Sequence, residues 1–260
     1  MAETDLDIEL LRGVLSYRRV GCRLLHYDVL GSTMDEARAL AQRGEREGTV
    51  VIAEEQTTGR GRFDRGWVSP RGQNLSFSVL LRPSAAQLPY MNMAATLAVS
   101  RAIEAVTGIS TAIKWPNDVR INGRKVSGIL IETEVAGEQV SHAIVGIGVN
   151  VNFDPRRYPE IAAIATSLFR ETGRKVDRTT VLRLVLEHFD GLYRAVKGGR
   201  SLTKDWAASL ETLGRHVQLR WHDQVVEGRA EEVDEQGNLV LRRPDGTAFT
   251  AVGGEVTLQA

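Results

Sequence analysis

Cysteine is nearly absent from this chain: Cys22 is the only one in 260 residues. No disulfide can close within the chain, and no cysteine-based metal cluster can form. Net charge is absent too. The 33 Lys+Arg balance 33 Asp+Glu, so a broadly basic nucleic-acid surface is disfavoured and positive charge must act locally. No apolar run approaches membrane-spanning length, and the acidic stretch from Met1 to Leu11 lacks the basic and apolar regions of a signal peptide. These absences predict a cytoplasmic protein without a membrane or DNA partner. Common catalytic signatures are missing as well: no Gly-x-Ser-x-Gly elbow, no Walker-type phosphate loop, no His-Glu-x-x-His pair. The five histidines (His26, His142, His188, His216, His222) have no ligand spacing, so no structural metal is expected.

What is present is an ordinary globular composition, 42% hydrophobic and 25% charged, long enough for one large domain with a small one appended. Its most unusual stretch is Gly59-Arg60-Gly61-Arg62-Phe63-Asp64-Arg65-Gly66-Trp67. Arginines this dense repel one another, which predicts a loop that stays mobile until an anion arrives. Glycines let a ligand approach the backbone, guanidinium forks suit carboxylate and phosphate oxygens, and Trp67 offers a face for a purine. A solvated basic surface loop has the same composition.

Around that loop the patterning is regular. A short helix over 8–20 leads to a strand near Arg23–Tyr27, and Thr33 with Glu36 has capping-box spacing for the next helix. A β-rich run, Thr49–Glu54, feeds the loop with Gln56 at its end, and Asn74–Arg82 alternates as a half-buried strand. The stretch Met91–Val106 is apolar nearly all round, a buried helix. Pro116 ends the ladder after Lys114-Trp115 and displays Asn117 and Asp118 at a turn. Asn122-Gly123 predicts a two-residue hairpin that places Lys125 at the start of a strand through Gly128. The strand Val140–Val151 carries Gly146 and Gly148, which hint at close approach of a ligand to the backbone. After a helical stripe from Leu182 to Val196 and a short helix capped by Ser201, five short β segments follow from Arg215. They predict a small SH3-like barrel, with domains at 1–212 and 213–260.

An anion loop, a Pro-Asn-Asp corner and a lysine behind a tight hairpin suit the joining of a carboxylate to a nucleotide. Two negative groups must meet and charge must be stabilised at phosphorus, which is electrostatic work needing no protein nucleophile.

These residues resemble those of the biotin protein ligases over nearly the whole chain. The motifs are Ser32-Thr33, Gln56 with Gly59-Arg60-Gly61-Arg62 and Arg65-x-Trp67, Lys114-Trp115-Pro116-Asn117-Asp118, Lys125-x-x-Gly128-Ile129-Leu130 with Glu132, and Gly146-x-Gly148-x-Asn150. The resemblance implies an α+β fold with a mixed-sheet catalytic domain related to class II aminoacyl-tRNA synthetases. It also implies a short, non-repressor form, either monomeric or a homodimer through a sheet edge. By it, biotin reacts with Mg²⁺-ATP to biotinoyl-5′-AMP, and a lysine of a biotin acceptor domain, such as that of acetyl-CoA carboxylase, takes the acyl group. Lys125, Arg60 and Arg62 would be catalytic. Biotin would lie against Ser32, Thr33, Gln56, Gly59, Arg60, Lys125, Gly128, Gly146 and Val149. The nucleotide would meet Arg62, Arg65, Trp67, Asn117, Asp118, Lys125 and Asn150, with Asp118 toward Mg²⁺. Two departures stand out: Phe63-Asp64 where the family carries a basic residue and glycine, and Met34 where Asn is commoner. Lipoate or octanoate ligases share the fold and the adenylate chemistry and are the nearest rivals.

Overall fold

The computed structural model describes residues 6–137, 139–221 and 224–259. The start of the acidic N-terminus (Met1–Asp5), His222 and the side chain of Asp64 lie outside the described residues. The first unit runs α1 (Ile8–Leu15), β1 (Arg23–Leu30), α2 (Thr33–Gln42), β2 (Thr49–Gln56), β3 (Leu75–Leu81) and α3 (Tyr90–Thr107). It continues with β4 (Ala112–Lys114), β5 (Asp118–Ile121), β6 (Arg124–Ala136) and β7 (Gln139–Val149), then α4 (Leu168–Thr172), α5 (Arg178–Lys197) and α6 (Thr203–Ala208). Its strands form one sheet in the order β1-β2-β3-β7-β6-β5-β4. The β1–β2 pair is parallel and the others antiparallel, which makes the α+β fold with a mixed sheet that the sequence predicts.

Helices cover both faces of the sheet's middle. On one face Met34, Ala37 and Ala41 of α2 pack on Val51, Leu80 and Ile144; on the other, Val50, Ile52, Phe77 and Val79 belong to the core cluster that also takes in the apolar sides of α3 and α5. Each of the larger side chains among them (Met, Val, Leu, Ile, Phe) contributes roughly 1.5–3 kcal/mol on burial. The alternation of β3 therefore does not mark a wet face. Ser76 and Ser78 are also buried, bonded at 2.7 Å to Ser69 Oγ and at 2.8 Å to Thr33 Oγ1. The Asn122-Gly123 turn forms as expected, with φ of 49° and 75°, the left-handed pair that a tight hairpin demands.

The second unit is β8 (His216–Trp221), β9 (Gln224–Val233), β10 (Leu239–Arg242), β11 (Ala248–Ala251) and β12 (Glu255–Leu258). These strands form an antiparallel sheet in the order β11-β10-β9-β8-β12. The five expected segments are present. Among the described residues β11 and β12 end the ladder without pairing to each other, so the unit is described as a sheet, without barrel closure. Two indoles tie it to the first unit's core: Trp115 Nε1 donates to Gly237 O at 2.9 Å, and Trp206, bonded to Thr96 Oγ1 at 3.0 Å, lies under Gly237. No described helix is long and apolar enough to cross a membrane.

Candidate active site

The α2 face of the sheet carries a patch without side chains. Gly146 lies between Ser78 and Leu130, and Gly148 between Ser76 and Gly128. Three neighbours press onto that floor. A Cβ on Gly148 would sit 2.3 Å from the Trp67 indole, one on Gly146 2.7 Å from Met34 Sδ, and one on Gly128 2.8 Å from Lys125 Nζ. The glycines thus serve close approach.

Above this floor is a cavity of about 670 Å³, within the usual range for a small-molecule site. At one end stand Ser32, Thr33 and Gln56. Ser32, not Thr33, caps α2, its Oγ accepting from Met34 N at 3.3 Å. The amide N–H and hydroxyl of Thr33 go instead to Gln56 Oε1, at 2.8 and 3.1 Å, fixing that amide at the end of β2. At the other end Lys125 Nζ is 2.6 Å from Asp118 Oδ1 and 5.7 Å from the Trp67 ring centroid. Asn117 accepts from Arg62 Nη1 at 3.2 Å and donates to Ile129 O at 2.6 Å. Asn150 is buried, its Nδ2 donating to Thr166 O at 3.0 Å.

The arginine loop is folded down rather than free, because protein groups meet its charges. Trp67 N donates to Gly59 O, a bridge joins Arg60 to Gly66, and Gly61 N donates to Arg65 O at 2.7 Å. Arg60 takes both oxygens of Asp35, at 2.7 and 2.8 Å, and Glu132 at 3.2 Å; Glu132 also pairs with Arg38. Arg65 forks onto Glu255 of β12, both bonds at 2.6 Å. The repulsion that predicts a mobile loop is thus offset by carboxylates distant in sequence. Phe63, at the tip, is exposed and left-handed at φ 56°. Trp67 is half-buried, not exposed, with a buried Nε1 that lacks a hydrogen-bond partner.

Comparison with known proteins places this geometry. A family model described as the biotin/lipoate A/B protein ligase family matches residues 27–150, and one for the biotin protein ligase C terminal domain matches 212–258. The chain is 38% identical over 232 residues to the bifunctional ligase/repressor BirA of Bacillus subtilis, covering 87% of this chain and 71% of that protein. It is 36% identical to the biotin--[acetyl-CoA-carboxylase] ligase of Paracoccus denitrificans, over 83% of this chain and 92% of that one. The chain belongs to the biotin protein ligase family. Among solved structures, the biotin protein ligase from Aquifex aeolicus in complex with biotin and ATP superposes with a TM-score of 0.76 at 33% identity, covering 91% of this chain and 98% of that one.

In this biotin protein ligase the structure gathers most of the residues singled out from the sequence. Ser32, Thr33, Gln56, Arg60, Arg62, Arg65, Trp67, Asn117, Asp118, Lys125, Gly128, Gly146 and Asn150 all line the one cavity. Two do not. Gly59 is at the loop's root, where a Cβ would meet Trp67 O at 2.8 Å, and the Val149 side chain lies in the core behind the sheet. Asp118 stands beside Lys125, and no cluster of three or more His, Cys, Asp or Glu is placed to hold a metal among the described residues.

Four groups escaped the site assignment made from the sequence: Lys114, Asp35, Glu132 and Glu255. Burial pushes Lys114 below the ordinary lysine range as it lines the cavity, and burial likewise lowers Arg62. Asp35 is held down to about 2, chiefly by its hydrogen bond from Arg60. Glu255 is lowered by the hydrogen bonds from Arg65. Lys114 and Glu132 stand inside motifs already singled out, and Asp35 is one residue beyond Met34. Only their three-dimensional partners distinguish them from surface charges. Nothing in the sequence marks Glu255, which is 190 residues from Arg65.

Proposed function

We propose that this chain activates biotin with ATP and transfers it to a lysine of a biotin acceptor domain of a carboxylase. The observation that carries this function is the meeting, in one cavity, of the Thr33–Gln56 amide relay with the Arg62, Lys114 and Lys125 cations across a bare glycine floor. A compact bicyclic ring with a polar ureido edge and a carboxylated tail fits such a slot, polar at the ring end and cationic at the tail end. Ser32, Thr33 and Gln56 hold the ring, with Gly128 and Gly146 beneath it. Arg60, Arg62 and Lys125 face the carboxylate and the α-phosphate, while Trp67, Asn117, Asp118 and Asn150 face the nucleotide.

In the first step a carboxylate oxygen attacks the α-phosphorus, the bond to the β-phosphate oxygen breaks, and pyrophosphate leaves. Lys125 stabilises the charge that moves from carboxylate to phosphorus, where a compact ammonium suits a shifting charge. In the second step the acceptor's neutral ε-amine attacks the acyl carbon, the acyl–phosphate bond breaks, AMP leaves and the amine's proton is lost to solvent. The folded loop shields the water-labile anhydride between the two steps. Mg²⁺ fits as an ion carried by ATP, because Asp118 brings a carboxylate to the nucleotide corner beside Asn117 and magnesium commonly combines one or two carboxylates with substrate phosphates. When bound, it would neutralise phosphate charge. The catalytic unit is taken as residues up to 212 and the C-terminal β unit as 213 onward.

Intact-mass spectrometry of an acceptor domain, incubated with the protein, Mg-ATP and either biotin or lipoate, tests this function. A single ATP-dependent biotin increment is expected. A lipoyl increment instead would keep the adenylation chemistry and overturn the substrate; no increment with either would overturn both.

A further inference from the structure

Arg65 is the one loop arginine whose guanidinium turns away from the first unit toward the second. Both its Nη atoms donate to Glu255, at 2.6 Å each. Such a two-pronged match is the geometry in which a partly exposed ion pair is held rather than transient. Glu255 is not presented by chance. It follows Gly253-Gly254, where a Cβ on Gly253 would meet Trp221 at 2.7 Å, and Gly254 combines a φ of 125° with a Cβ that would meet Arg220 O at 2.7 Å. Only glycine fits this turn, and the turn delivers β12 to the rim of the cavity, which Gly254, Glu255 and Val256 help to line. The carboxylate arrives among cations: Arg65 on its oxygens, with Lys114, Arg220 and Arg62 close enough to act on it or be acted on by it.

The loop's own bonding carries the pull inward. Gly61 N donates to Arg65 O, Arg65 N to Arg62 O, and Trp67 N to Gly59 O. Holding Arg65 therefore holds Trp67, two residues on, against Gly148, and holds Arg62 beside Asn117.

We propose that Glu255 is a positioning residue: the second sheet reaches across the cavity mouth and clasps the arginine loop through Arg65, so closure over the reaction depends on the C-terminal unit. This rests on the function proposed above for its consequence, retention of the acyl-adenylate, but not for the clasp itself. The full chain is compared with Glu255→Gln, Arg65→Glu and the exchanged pair Arg65→Glu with Glu255→Arg. The first measurement is the rate of trypsin cleavage after Arg60 and Arg62 without ligand. The second is the rate at which free biotinoyl-AMP escapes under biotin and Mg-ATP. Glu255→Gln should raise both by about two- to fivefold, the range expected for losing one well-formed exposed ion pair. The exchanged pair should return the cleavage rate to within about twofold of the natural chain, since only the direction of the pair has changed. Rescue of this kind is not expected of a residue that merely supports the fold. Unchanged cleavage in Glu255→Gln, or an exchanged pair no better than either single variant, would overturn the clasp. If cleavage follows the pattern but no adenylate forms in the natural chain, the clasp stands and the proposed reaction fails instead.

Discussion

Lys125 and Asp118 face each other from β6 and β5, Nζ to Oδ1 at 2.6 Å, with the Trp67 ring 5.7 Å from the same ammonium. The lysine is thereby aimed into the cavity rather than left to rotate on its four-carbon stem. Truncating Lys125 to Ala should lower adenylate formation by at least about 100-fold, the size expected for losing one preorganised electrostatic contact. Arginine should not restore it, because the broader planar fork cannot occupy the same point. Biotin-dependent pyrophosphate release under single-turnover conditions measures both variants; an unchanged rate in Lys125→Ala would remove the lysine from the chemistry.

The floor is the second point of attack. Gly148 is held between Ser76 and Gly128 by strand pairing, so the backbone cannot yield to a new Cβ that would lie 2.3 Å from the indole. Trp67 must move instead. Gly148→Ala should therefore weaken ATP binding on the order of tenfold, about 1.4 kcal/mol, with little change in stability. Calorimetric titration with ATP reads the first and urea unfolding the second. Unaltered ATP affinity would show that the indole's seat does not matter to the nucleotide.

Removing Arg60 tests the loop as a lid. Arg60→Gly leaves Asp35 and Glu132 to Arg38, opens the inner side of the loop, and should release free adenylate that labels lysines indiscriminately. Labelling confined to one acceptor lysine would count against that role.

The same ion pair fixes a pH dependence. Asp35 is lowered from its ordinary 3.8 to about 2, so its favourable contribution is fully present above the ordinary value and is lost as pH falls through the lower one. Escape of adenylate through this contact should accordingly stay flat from roughly pH 5 to 9. A carboxyl-carbon NMR titration should place Asp35 near 2 in the natural chain and closer to 3.8 in Arg60→Gly. An Asp35 that already titrates near its ordinary value would break the link.

Beneath the site, Glu54 of β2 and Arg178 of α5 are paired at 2.9 Å with no exposed side-chain surface on either. Burial pushes Glu54 upward, but the hydrogen bond from His26 and the charge of Arg178 more than offset it, leaving the carboxyl lowered overall. Arg178→Met leaves a buried carboxylate with His26 alone and should cost about 3–5 kcal/mol in urea unfolding. A loss below about 1 kcal/mol would mean that water or His26 already satisfies Glu54.

Much of this protein is legible along the chain because local chemistry dictates it. Asn122-Gly123 can make only a tight left-handed turn, and the turn sets Lys125 at the head of β6. The apolar run of α3 has nowhere to go but the core. Gly146 and Gly148 announce a close approach, and the motif order carries the family. The sequence by itself therefore determined the elements, their class and most of the residues that line the cavity. It could not determine charge compensation. Asp35, Glu132 and Glu255 pair with the loop across separations of 25, 72 and 190 residues, and only the folded sheet order brings them within hydrogen-bond distance. The floor's occupants were equally hidden: that Trp67 lies on Gly148, and Met34 on Gly146, follows from two segments crossing a sheet they are not part of. Periodicity reports which side of an element is apolar. It does not report which distant element will cover it, and that is where β3's second face, the state of the loop and the reach of β12 were decided.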